Sequence, residues 1–203
     1  MGNYSELYFS EEKTPPTPSQ LQSSGSPYLL SKYHIPLLWL ALFRSADIVS
    51  LKDEDGEEEW PYLVAERESA LLLLGTREGF LQSNFPSLDL SWLQLFKSLL
   101  EQTPFKYVHV DTSQIGGMVG SGHEWHRELE LILGMFSPAP APPPTFLEKL
   151  LRIQTQSKGR EWSLFDKRLG SVFQGASAKE PWAYCGSSGT DDEMAWEDDS
   201  KSM

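Results

Sequence analysis

Between Ser91 and Phe136 the hydrophobic pattern changes period twice, and this alternation constrains the fold more than any other feature of the chain. Ser91-Trp92-Leu93-Gln94 has the form of a capping box, and Trp92, Leu95, Phe96 and Leu99 follow at i, i+3, i+4 and i+7, so the spacing predicts a helix. Pro104 closes it. Phe105 to Asp111 then alternates as a half-buried strand does, with Val108 and Val110 on one face and Tyr107, His109 and Asp111 on the other. Beyond a glycine-rich loop from Gly116 to Gly122, a stripe of Trp125, Leu129, Ile132, Leu133 and Phe136 restores the helical period. Elements of both kinds in such close succession share one layered core.

The same reasoning places a strand at 3–9, followed by a long Pro/Ser-rich loop from Thr14 to Pro27. Ile35 to Phe43 reads as a core helix with Pro36 in its first turn, and Trp60 to Ala65 as a short strand. Ala70, Leu73, Leu74, Phe80 and Leu81 mark a further helix, which Gly75 and Gly79 threaten to end early. Thr145-Phe146-Leu147-Glu148 opens a helix running to about Gln154, and Trp182 to Cys185 reads as a late strand. The expected fold is α/β or α+β: a small mixed sheet of about four strands packed with about five helices in a single domain. Its parts are a main domain over 1–136, a Pro/Ala-rich polyproline II spacer over 137–144, a helix and strand over 145–186 packed on the main domain, and a disordered acidic tail over 187–203.

Ten Phe, seven Trp and seven Tyr supply a real core, so the net charge of -12 is not a mark of general disorder. The charge is local. Asp53, Glu54, Asp55, Glu57, Glu58 and Glu59 form one run; Asp191, Asp192, Glu193, Glu197, Asp198 and Asp199 form another; the remaining 17 acids balance 17 bases. Such blocks keep a protein soluble, and they also steer a basic partner toward the surface. Trp60 beside the first run and Trp196 within the second add aromatic anchors of the kind that dominate interfaces. The acidic balance argues against nucleic acid and against an anionic membrane surface. A single cysteine, Cys185, and an N-terminus without a signal or myristoylation pattern point to a reducing cytoplasm. The apolar run Ile35 to Phe43 is about half the ~20 residues of a membrane span.

Catalytic patterns are incomplete. The glycine-rich loop sits where backbone N–H groups hold anions, between a strand and a helix, but lacks the spelling of a P-loop or a dinucleotide fingerprint. His123 and His126 face one side of the following helix next to Glu124, and with Asp111 they form a candidate metal set for a metal-assisted hydrolase. Their spacing is not that of a zinc protease. Ser121 lacks the glycines of a nucleophile elbow, and an aromatic-flanked Cys185 suits a small buried residue.

The opening Asn3, Ser5, Leu7 and Tyr8, the Ile35-Pro36-Leu37-Leu38-Trp39 segment and the Tyr62 to Leu74 stretch resemble a loose group of uncharacterised bacterial cytosolic proteins. In acidity and layout the chain also resembles the immunity partners of polymorphic toxins. A neutral body with two aromatic-tagged acidic runs and no complete catalytic pattern makes the expected function non-enzymatic: an immunity protein of the kind the resemblance implies, which binds and neutralises a basic toxin domain without a cofactor, through Asp53, Glu54, Asp55, Glu57, Glu58, Glu59, Trp60 and Trp196. The hydrolase and a structural or adaptor module are the alternatives.

Overall fold

Alternation in the first ten residues builds a strand that lies beside the centre of the sheet. The computed structural model describes residues 3–16, 20–21, 25–52, 58–85, 88–136 and 182–188. Strands β1 (Tyr4–Ser10), β2 (Tyr28–Lys32), β3 (Ile48–Lys52), β4 (Glu59–Glu66) and β5 (Tyr107–Asp111) form one sheet in the order β2-β1-β5-β4-β3. Every pairing is antiparallel, with Leu7 opposite Val110 and Val110 opposite Leu63, and Phe9 opposite Val108 and Val108 opposite Ala65. These side chains lie on one face and enter the main core.

Helices α1 (Leu37–Leu40), α2 (Arg67–Asn84), α3 (Leu90–Gln102), α4 (Ser113–Val119), α5 (Gly122–Met135) and α6 (Trp182–Cys185) contribute the rest of that core, with Trp39, Phe96, Trp125 and Tyr184 all fully buried. The architecture is α+β. Among the described residues no helix is long and apolar enough to cross a membrane.

Several expectations need correction. The sheet is antiparallel rather than mixed, and it has five strands rather than about four. β2 and β3 had no sequence signal strong enough to separate them from the loops beside them. Trp182 to Cys185 is a helical turn, not a strand. α2 does not stop at Gly75 or Gly79: both face open space, and burial of Ala70, Leu74, Arg77 and Leu81 along one stripe offsets their poor propensity. α3 is capped by Asp89, whose carboxylate accepts the Ser91 N–H at 2.7 Å, so Ser91 lies inside the helix. The buried face of α3 is Leu93, Phe96 and Leu100, with Leu95 exposed.

Polar contacts tie the surrounding segments to α1 and β2. The Arg77 guanidinium donates from Nη1 to the carbonyls of Ala41 at 2.9 Å and Phe43 at 2.7 Å, which α1 leaves unpaired, and lies 5.0 Å from the Phe136 ring centroid. Burial lowers its pKa to about 10, so it stays charged at neutral pH. The Trp39 indole donates to the Cys185 carbonyl at 2.7 Å, and Leu30 and Ser187 exchange backbone hydrogen bonds at 2.8 and 2.9 Å. Gly186 joins these contacts at φ +76°, where a Cβ would also collide with the Trp39 ring. The proposed spacer 137–144, the helix from Thr145 and the tail beyond Ser188 lie outside the described residues.

Candidate binding groove

Strand pleating gives the second face of the sheet a different set of side chains, and among the described residues it is flanked by the helical residues 20–21, whose Leu21 packs against Tyr8, Tyr62 and Val64, and by the start of α4 at Ser113 and Gln114. Glu6 and Tyr8 of β1, Tyr28 of β2, Tyr62 of β4 and Asp111 of β5 alternate with the core residues of the same strands. With Trp60 they line a groove of about 1080 Å³. Pro15, Pro16, Leu21, Gly25 and Ser26, from the connection between β1 and β2, form a wall. Ser26 pins that wall to β1: its hydroxyl accepts the Phe9 N–H at 3.0 Å and donates to the Phe9 carbonyl at 2.8 Å.

An aromatic layer supports the groove. The Tyr8 and Tyr62 hydroxyls share a hydrogen bond, and His109 stacks on Tyr8 with ring centroids 5.3 Å apart and planes 8° from parallel. His109 is fully buried, and burial lowers its pKa to about 4, so it is neutral at pH 7. Its Nε2 lies 2.9 Å from the Ser10 hydroxyl and 3.1 Å from the Glu12 carbonyl, which fits an N–H there; Nδ1 is buried without a hydrogen-bond partner. His109 is enclosed because Tyr8 and Tyr62 on the neighbouring strands pack against its ring and Ser10 and Glu12 reach its Nε2.

Glu6 and Asp111 stand directly opposite each other on β1 and β5. Burial raises the Glu6 carboxyl above the usual carboxylate range; a hydrogen bond from Tyr28 pulls it down and the Asp111 charge pushes it up. Burial raises the Tyr8 and Tyr28 phenols above their ordinary range, and the charge of Asp111 adds to the effect on Tyr8, that of Glu6 to the effect on Tyr28. Asp111 also accepts the Ser113 N–H at 2.8 Å at the start of α4. Lys52 is the one basic side chain among the described residues lining the groove, and among the described residues no ion pair joins a Lys or Arg to Glu6 or Asp111.

Of the expected partner-binding residues, Trp60 lines the groove and Glu59 is exposed on β4. Glu58 serves the fold from within, since its carboxylate accepts the Gly122 N–H at 2.7 Å at the first turn of α5. Asp53, Glu54, Asp55, Glu57 and Trp196 lie outside the described residues. The metal set does not assemble: His123 is exposed, the His126 Nε2 lies 3.8 Å from a Glu130 carboxylate oxygen, and Glu124 is held by the Ser121 N–H at 2.9 Å in a capping box. Among the described residues no group of three His, Cys, Asp or Glu is placed to hold a metal ion.

The glycine-rich stretch is not an anion loop. Gly116 and Gly117 belong to α4, and a Cβ on Gly116 would enter the Trp125 ring. A Cβ on Gly122 would strike the Glu59 carbonyl, so this glycine lets α5 approach β4. The N-terminus of α5 already has the Glu58 and Glu124 carboxylates as its anions. Cys185 is buried, and burial raises its thiol far above the range of a nucleophile.

Sequence reasoning missed Glu6, Tyr8, Tyr28 and Tyr62. The usable signal was the alternation of Tyr4, Glu6 and Tyr8 against Ser5, Leu7 and Phe9, which puts an acid and two tyrosines on the second face of one strand. Comparison with protein-family models, curated proteins and solved structures finds no match to this chain.

Proposed function

We propose that this chain is a non-enzymatic protein of the bacterial cytosol that captures a basic protein partner, as an immunity protein masks a toxin domain. The observation that carries the reading is the groove itself: two carboxylates with no basic side chain paired to them among the described residues, in a setting of aromatic rings. Trp60 joins that groove to the acidic run that precedes it in the sequence. Charge on the run raises the rate of encounter, and rings beside the carboxylates supply desolvated contact area.

The test is an affinity capture with metal analysis of the same purified protein. A basic protein is expected in stoichiometric amount. Its affinity should fall roughly tenfold or more when Asp53, Glu54, Asp55, Glu57 and Glu59 become their amides, with Glu58 kept for α5. Stoichiometric zinc or manganese that is lost on replacing His123 and His126, with no protein partner, would overturn the reading in favour of a hydrolase.

A further inference from the structure

Two like charges directly opposite on neighbouring strands destabilise a sheet, and a partly buried carboxyl does so more than an exposed one. Glu6 and Asp111 occupy that arrangement on the neighbouring strands β1 and β5, within the groove. Tyrosines surround the pair: Tyr8 is two residues beyond Glu6 on β1 with Tyr28 opposite it on β2, and Tyr62 lies directly opposite Asp111 on β4. A cation relieves the repulsion and gains from the rings as well. An ammonium ion satisfies the charge as a point. A guanidinium also matches the geometry, because its planar fork donates to two carboxylate oxygens and its face stacks on tyrosine.

On the capture reading above, we propose that the groove seats an arginine side chain from an extended segment of the basic partner, its guanidinium between Glu6 and Asp111 and its flat face against the tyrosines. Among the described residues the groove lies on a sheet face beside the β1–β2 connection, which suits a side chain entering from a backbone that stays outside. Lys52 at the rim does not replace that cation, because it stands opposite Glu59 in the β3–β4 register.

The full chain is titrated with a short Gly/Ser peptide carrying arginine, and with matched peptides carrying lysine or the uncharged isostere citrulline, while nuclear magnetic resonance follows the Trp60 indole and the tyrosine rings. The arginine peptide should bind at least about tenfold more tightly than the citrulline peptide, with lysine between them. Glu6→Gln combined with Asp111→Asn should remove that preference, and Tyr28→Leu should weaken binding several-fold with the charges intact. A cooperative thermal transition shows that each variant folds.

Equal binding of the arginine and citrulline peptides, or a preference that survives Glu6→Gln with Asp111→Asn, overturns the assignment. So does binding of free arginine or a polyamine as tight as that of the peptide, which would make this a small-cation site. Capture of a basic protein that is indifferent to Glu6 and Asp111 removes the groove mechanism and leaves the capture reading standing. Arginine peptides bound through Glu6 and Asp111 with no basic protein captured remove the capture reading and leave the cation site.

Discussion

The two faces of the sheet are built from the same strands and obey different rules. On the helix side, Leu7, Phe9, Leu63, Val108 and Val110 are fully buried, and the helices over them bring more aliphatic and aromatic mass. On the groove side the burial is nearly as deep at Tyr8, Tyr62 and His109, yet each of these carries a polar atom. The helix side is held by non-directional burial, which tolerates repacking and gives stability. The groove side adds, to a small apolar cluster around Val64, directional contacts between a few hydroxyls, a ring nitrogen and a carbonyl, which specify position. Depth of burial alone does not separate a core from a site; the number of polar atoms at that depth does.

The contrast breaks hardest where the core loses most volume. Trp125→Ala removes a fully buried indole beneath α4 and the donor to the Thr112 hydroxyl, and is expected to cost roughly 3–5 kcal/mol in chemical denaturation. A heavily destabilised but folded Trp125→Ala protein should keep the arginine preference, because Trp125 lies on the far side of the sheet from the groove.

Acid separates the faces next. His109 has a pKa of about 4 in the folded chain against an ordinary value near 6.5, so the unfolded chain binds its proton more readily. That stability is fully present above pH 6.5 and is lost as pH falls toward 4, by about 3 kcal/mol in total. Glu6 has the opposite sign: its raised pKa makes its contribution largest at low pH and smaller as pH rises. The informative quantity is therefore the difference between the wild-type and His109→Gln denaturation profiles, which should narrow between pH 6.5 and 4. Parallel profiles would mean that the ring is not held neutral among Tyr8, Tyr62 and Tyr107.

The smallest effect should come from Tyr8→Phe, which keeps the ring on His109 and removes only the hydrogen bond to Tyr62. A loss of about 1 kcal/mol is expected from thermal unfolding. A neutral result would show that the Tyr62 hydroxyl finds water in the groove.

What the sequence made legible follows the range of the interactions responsible. β1, β4, β5, α3 and α5 have strong local periods, and their existence was readable from them. β2 and β3 are five residues each, next to a Pro/Ser-rich loop and an acidic run, and are strands because β1 and β4 pair with them. The glycines between Gly116 and Gly122 looked like a ligand loop because their partners, Trp125 and the β4 backbone, become visible only in three dimensions. The groove was hidden for the same reason. Glu6 and Asp111 are neighbours only through the pairing of the first strand with the fifth, and no spacing rule connects them. Trp60 was legible because its acidic surroundings are local.

The hydrogen bonds that residues 182–188 make to Trp39 and Leu30 also bear on synthesis. Until residues 182–188 have been made, the Trp39 indole lacks the Cys185 carbonyl and Leu30 on the outer edge of β2 lacks Ser187. A bare strand edge is a template for pairing with another molecule. The nascent chain is therefore most prone to self-association over the interval in which residues 137 to 181 are being made, and chaperone protection over that interval should matter more to yield than the final stability of the sheet.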